Sequence, residues 1–338
     1  MGNKEDAIIK IDNALPLPLY KQIIASVHEA ISRGSLKTGD ILPSVNSIAA
    51  AHSLARGSIF KAYNELKTAG IIDSMPGKGY FVTSTNVQTK RNIFLLLSTF
   101  NPYREVLYNA FIAQLKGQAK VDLYFHHHNI SVFETLIKNH TAYYNTFVIM
   151  PEINKKTGGI LKQLGPKKLY ILDSGLNEFG NDYPCVCQNY EKDISGILKA
   201  NFARLKKYKR VLLLFPDNIK TEGVVSGFTS FFKKNDFPAQ VIRNTSDYEP
   251  RQFDCCIIMD DIDLVRLMRA ARGKKWKLGK DIGILSYNET PLKSIIADGI
   301  TTITTDFEQM GKSMADMISK NKPGRIENPF LMIDRESF

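Results

Sequence analysis

The sequence predicts two fold classes in one chain: a small α+β head of three helices and a β-hairpin over residues 1–84, and an α/β region of two parallel-sheet lobes over residues 92–338. A polar connector, residues 85–91, joins them. Three observations carry this expectation. At 338 residues the chain is longer than one ordinary small domain. Up to Gly70 the apolar residues recur at helical steps, and two short strand-like runs follow, separated by PGKG. Beyond Asn92, strand-length apolar runs alternate with helical segments in two successive series, the pattern of parallel sheets covered by helices.

In the head, Tyr20, Ile23, Ile24, Val27 and Ile31 fall at three- and four-residue steps and predict an amphipathic helix that ends near Gly34. Ser44, after LPS, suits the cap of a short second helix through Ile48 and Ala51. After the His52-Ser53 corner a third helix is expected from about Ala55 to Gly70, with Leu54, Ile59, Ala62, Tyr63 and Leu66 on its apolar face. Two helices meeting at a short turn form a helix-turn-helix, and IIDSM with YFVTS, joined by PGKG, forms a hairpin wing. A recognition helix enters the DNA major groove by its N-terminal end, which explains a polar first turn. Arg56 can reach a guanine edge or a phosphate, Gly57 lets the backbone approach, and Ser58 can donate to a phosphate oxygen. Lys61 lies one turn on, and Lys78 at the wing tip is placed for sugar and phosphate in the minor groove.

The order and spacing of PLYKQI, GSLKTGDILPSV, ARGSIFKAY, EL, AGII and GKGYFV resemble the winged helix-turn-helix of the GntR family from Pro18 to Ser84. The resemblance implies DNA binding through Ser44, Arg56, Ser58, Lys61 and Lys78. Asn46 and Ala55 stand where the family often has Arg and Ser; Asn46 can still read adenine, so it joins the candidate DNA-binding residues.

In the larger region, NIFLLLSTF, VDLYFHH, TFVIMPE and LYILDSG read as strands between helices such as REVLYNAFIAQLKG and SVFETLIKNHTAYY. The series restarts with ISGILKANFARLKKY, RVLLLFP, EGVVSGFTSFFKKN, AQVI, CCIIMDD, DLVRLMRAAR and DIGILSY. Ligands in such sheets bind beyond the carboxyl ends of the strands. Ser98, Asn101 and Tyr103 follow the first strand, His126 and His128 the second, and Glu152 the third; Asp173, Glu222, Asp261, Asn288 and Glu289 complete the candidate effector-binding set. Carboxylates and amides pair with adjacent hydroxyls, and an acidic set repels a phosphorylated ligand. Strand-end Asp and Asn equally serve as caps of the next helix, and that alternative stays open. No GxGxxG or GxxxxGK[ST] loop is present, and no Ser, Cys or Thr lies in a nucleophile motif. His126, His127 and His128, read as strand residues, point to alternate faces and do not converge on a metal.

The segments DISGILKANFARLKKYKRVLLL, GFTSFF, IIMDDIDLVRLMRA, LGKDIGILSYNET, GITTITTDFEQMG and LMIDRES resemble the periplasmic-binding-protein-like effector domain of LacI/GalR regulators. What this implies is two lobes joined by three crossings, a homodimer, and a small effector, commonly a sugar, between the lobes. Asp173, Asp260, Asp261 and Asn288 fall where members of that family touch ligand. Val224 stands where they usually have an Arg, with Glu222 nearby.

The net charge of +11 does not mark the head as the nucleic-acid binder, because residues 1–84 carry only +2 of it. Cys185 with Cys187, and Cys255 beside Cys256, lack the spacing of a zinc site and read as reduced, partly buried thiols. A polar N-terminus and the lack of a long apolar run point to a cytoplasmic protein without a membrane partner. The expected function is a transcription regulator that binds double-stranded operator DNA as a homodimer under control of a small effector, by resemblance a neutral sugar, with no cofactor and no enzymatic activity. The alternative is a GntR-headed protein with an enzymatic or non-sugar-sensing C-terminal domain.

Overall fold

The computed structural model describes residues 8–13, 17–85, 91–141 and 143–338. The connector expected at 85–91 lies mostly outside the described residues. The chain divides into two compact units, one of residues up to Ile93 with Glu134–Asn145, the other of Phe94–Phe133 with Thr146–Phe338.

In the head, α1 (Leu19–Ser32) buries Ile23, Val27, Ala30 and Ile31. It stops where Gly34 turns to φ +73°, a left-handed conformation that glycine adopts without strain. The second helix, α2 (Val45–His52), is capped by Ser44, whose Oγ accepts the Ser47 N–H at 3.0 Å. Ser53, at φ 53°, makes the corner into α3 (Arg56–Thr68), which buries Ile59, Ala62, Tyr63 and Leu66. Tyr63 fixes the helix pair by donating its hydroxyl to the Pro43 carbonyl at 2.7 Å. The hairpin of β1 (Ile72–Met75) and β2 (Gly79–Val82) is antiparallel, with Met75 opposite Gly79, and Ile41 bridges to Phe81 on the other side. A feature the sequence reading omitted lies before α1. Ile9 is buried in the head core, and Ser26 and Gln22 bind the backbone of Lys10 and Asp12.

The larger region runs β3 (Arg91–Leu97), α4 (Pro102–Leu115), β4 (Ala119–Phe125), α5 (Ile130–His140), β5 (Thr146–Ile149), α6 (Thr157–Lys162), β6 (Leu169–Asp173), α7 (Leu176–Phe179) and β7 (Cys185–Cys187). It continues through α8 (Tyr190–Ala200), α9 (Phe202–Leu205), β8 (Arg210–Leu214), α10 (Glu222–Lys234), β9 (Ala239–Ile242), β10 (Asp254–Ile258), α11 (Asp261–Gly273), β11 (Gly283–Tyr287) and β12 (Thr301–Thr305). It ends with α12 (Phe307–Ser319), β13 (Arg325–Glu327) and β14 (Phe330–Ile333).

Two six-stranded sheets result, in the orders β13-β7-β6-β5-β3-β4 and β14-β12-β11-β10-β8-β9. In the second sheet β14 is antiparallel to β12, while β12, β11, β10, β8 and β9 run parallel. Its inner strands β8 and β10 are buried on both faces: Val211, Leu213, Cys255 and Ile257 join one core, and Leu212, Leu214, Cys256 and Ile258 the other. The chain passes between the lobes three times, at β7 to α8, β12 to α12 and β13 to β14. All four cysteines are free and buried.

Candidate nucleic-acid interface and ligand cleft

Arg56 opens α3 and is exposed, behind Ala55, which caps the helix with no side-chain bond. Gly57 is helical, and a Cβ there would meet nothing in the chain within 4 Å. Its cost to the helix, about 0.5–1 kcal/mol, therefore has no internal packing reason, whereas a close external partner supplies one. Ser58 is half-buried, and Asn46 and Lys78 are exposed. Ser44 does serve as a cap. Lys61 is not a free donor: its ammonium lies 4.0 Å from the centre of the Tyr20 ring. Moving it to a phosphate gives up a cation–π contact of about 0.5–1 kcal/mol.

Between the lobes lies a cleft of about 630 Å³. Among the candidate effector residues, Asn101, Tyr103, Asp261 and Asn288 line it. Asn101 caps α4, accepting the Arg104 N–H at 3.1 Å, and Asp260 caps α11, accepting the Ile262 N–H at 2.6 Å. Tyr103 stacks on Phe307 at 4.8 Å, and burial raises its phenol pKa, so the hydroxyl remains a donor. Asp261 pairs with Lys293 at 2.9 Å. Lys293 is buried, and it also donates to the carbonyls of Tyr287 and Asn288, both at 2.9 Å, which occupies its three N–H donors.

Asp173, at the end of β6, is buried. It accepts from Gln188 Nε2 at 2.6 Å and lies 3.4 Å from Arg104 Nη2. Arg104 also donates to Thr99 Oγ1 at 2.6 Å. Four buried polar atoms in these residues have no hydrogen-bond partner among the described residues: Arg104 Nε, Gln188 Oε1, the Tyr287 hydroxyl and Asn288 Oδ1. Arg104, Gln188 and Tyr287 were missed in the sequence. Tyr287 ends β11, so the strand-end rule that selected Asp173 could have found it, whereas Arg104 lies within α4 and Gln188 follows a strand of three residues.

Several candidates are turned to other work. Ser98 is buried, and its carbonyl takes the His127 N–H at 2.7 Å. His126 is buried with Nε2 at 3.2 Å from the Met150 carbonyl, and burial followed by the neighbouring His128 holds its pKa down to about 4. Glu152 accepts from His128 Nδ1 at 3.1 Å. Glu222 is exposed and held by Arg243 at 3.0 and 2.7 Å, which depresses its pKa. Glu289 is gripped by Arg335 at 2.8 and 3.1 Å and by the Thr302 hydroxyl. None of these five lines the cleft. Val224 is fully buried in the core of its lobe. The strand argument applied to the three histidines needs correction: β4 ends at Phe125, and His127 and His128 take positive φ values of 48° and 57° in a turn. His126 and His128 both turn their Nδ1 toward the same Glu152 oxygen, at 3.9 and 3.1 Å, with His126 buried and His128 exposed.

Residues 19–82 match the family of bacterial regulatory proteins, gntR family, and residues 206–337 match the periplasmic binding protein-like domain. The chain is similar to the HTH-type transcriptional repressor YtrA of Bacillus subtilis (strain 168), with 38% identity over 82 residues. That match spans 24% of this chain and 62% of the repressor. Two further repressors are matched over only about a third of their own length, 33% and 32%. Among solved structures, a dimeric Lac repressor with a C-terminal deletion superposes with a TM-score of 0.60 at 15% identity, covering 73% of this chain and 98% of the repressor. A complex of the transcriptional regulator CelR with cellobiose gives 0.59 at 13% identity, over 88% of this chain and 100% of that one. The chain thus joins a winged helix-turn-helix that matches the gntR family over residues 19–82 to two parallel-sheet lobes that share the fold of these structures and match the periplasmic binding protein-like domain over residues 206–337.

Proposed function

We propose that the chain is a transcription regulator, not an enzyme, which binds operator DNA through its head and responds to a neutral sugar or related polyol bound between its lobes. The observation that carries the ligand class is a pair of buried polar atoms on residues that line the cleft, the Tyr287 hydroxyl and Asn288 Oδ1, with no hydrogen-bond partner among the described residues. The amide oxygen accepts, and the phenol does either. Hydroxyl groups, which donate and accept, satisfy both. Among the residues that line the cleft the one cation, Lys293, has its three donors occupied, and Asp260 and Asp261 line the same space, which disfavours a phosphate. The likeness to a fold solved with cellobiose supports this reading.

Asn101, Tyr103, Asp261 and Asn288 are then direct ligand contacts, and Asp173 acts by aligning Arg104 and Gln188. A change in lobe closure on binding alters the separation of two heads in a homodimer, and with it the affinity for a two-fold operator. For the dimer face we favour the exposed apolar side of α11 with the turn after β11, where Ile262, Val265, Leu292 and Ile295 are solvent-exposed beside Met268 and Trp276. The deciding experiment is a thermal-shift screen of the full chain against neutral mono- and disaccharides and their phosphates. Stabilisation by a neutral sugar, lost in Asn288→Ala, is the expected result. Stabilisation by phosphates alone would overturn the ligand class.

A further inference from the structure

The exposed face of α3 has an aromatic ring at its centre. Arg56, Phe60 and Asn64 are four residues apart and therefore stack along one side of the helix, opposite the buried Ile59, Ala62, Tyr63 and Leu66. Phe60 is 47% exposed, and it borders a shallow hollow of about 730 Å³ lined with Gly57, Asn64, Glu65 and Thr68. Packing within the head gives no reason for it, since Phe60 is absent from the head core and from the partly buried residues around that core. Lys61, the neighbouring cation, is drawn aside onto Tyr20. The middle of the face is left apolar, with a guanidinium at one end and an amide at the other.

We propose that Phe60 reads the 5-methyl group of a thymine in the major groove, resting on the reading of α3 as the DNA-recognition helix. Among the groups that base edges present in that groove, the others are hydrogen-bond donors and acceptors, and a phenyl ring can satisfy none of them. The thymine methyl is the one apolar feature, and a ring covering it removes both surfaces from water. Arg56 and Phe60 are about 6 Å apart along the helix axis, and bases are stacked about 3.4 Å apart, so the thymine belongs about two steps from the base that Arg56 contacts. Gly57, with no side chain between them, lets the helix sit low enough for a ring of this reach to touch the base edge.

The test starts from the full chain and a pool of random duplex DNA, from which bound sites are enriched. In the enriched site each thymine is replaced in turn by deoxyuridine, which lacks only the methyl group, and affinity is measured at fixed salt. One thymine per half-site should lose about three- to fivefold in affinity on replacement, the worth of one buried methyl. Phe60→Ala should bind the thymine and uracil sites equally, and Phe60→Leu should keep part of the difference. The assignment is overturned if no thymine responds, if uracil weakens the wild type and Phe60→Ala alike, or if Phe60→Ala changes the oligomeric state, which would place the ring in a protein contact. A pool that enriches no site overturns the operator-reading function itself, and this inference with it.

Discussion

His126 has one ring nitrogen at the Met150 carbonyl and the other enclosed without a hydrogen-bond partner among the described residues, so a second proton is disfavoured. With a pKa near 4 in the fold and 6.5 unfolded, the neutral ring contributes stability that is complete above pH 6.5 and is lost as pH falls from 6.5 toward 4. His126→Gln, which can still donate to Met150, should flatten that part of the pH profile. The expected difference between wild type and variant is about 2–3 kcal/mol across the window by denaturant titration at pH 7.5 and 4.5, and parallel profiles would refute it. At the start of α3, Arg56 is exposed and has no hydrogen-bond or ion-pair partner among the described residues. Arg56→Ala should therefore weaken operator binding by about 1–3 kcal/mol with stability unchanged; a gel-shift titration checks this. Asp173→Ala is a poor probe of ligand contact, because Asp173 is buried and its removal also takes away the partner of Gln188 Nε2 and Arg104 Nη2.

Helix pairs set the lobes at the next scale. A Cβ on Gly227 in α10 would lie 2.4 Å from the Glu191 carbonyl oxygen and 2.5 Å from Ile194 Cγ2, so α8 and α10 meet at a distance only glycine permits. Gly196, exposed in α8, faces open space. Gly227→Ala should destabilise by about 1–3 kcal/mol through overpacking, and Gly196→Ala should stabilise by about 0.5–1 kcal/mol through helix propensity. Urea midpoints moving in opposite directions would bear out this pairing of the two helices, and a shared direction would contradict it.

Across the whole molecule, the three lobe crossings converge on Asn328. Its N–H donates to the Cys187 carbonyl at 2.8 Å, and its amide donates to Thr305 Oγ1 at 2.9 Å and to the Asp306 carbonyl at 2.8 Å. One residue thus links the three crossings, by its backbone to the chain ahead of α8 and by its side chain to the chain ahead of α12. Asn328→Ala removes the side-chain bonds and should lower stability by about 1–3 kcal/mol. It should also weaken the change in operator affinity that the cognate sugar produces, as read by titration with and without that sugar. For the dimer, Val265→Asp combined with Ile295→Asp should give a monomer by light scattering and reduce operator affinity; a dimer that persists would move the interface elsewhere.

The head was legible because its determinants are local. The Ser44 cap, the helical spacing of Ile59, Ala62, Tyr63 and Leu66, and the glycines of the hairpin act within a few residues of one another. The strand-helix alternation was legible for the same reason, while α7 and β7, of four and three residues, are too short to show a period, and the Thr-rich β12 reads as polar although it is buried along its length. The ligand site followed another rule. Glu152 and Glu289 follow strand ends and Glu222 opens α10, but their partners His128, Arg335 and Arg243 are 24, 46 and 21 residues away. Whether a strand-end carboxylate faces a ligand or a guanidinium depends on which cation the fold carries to it. By itself the sequence determined the order of elements and the helix-turn-helix of the head. Only the tertiary structure decided which polar groups reach the cleft unpaired, because that depends on long-range pairing rather than on local periodicity.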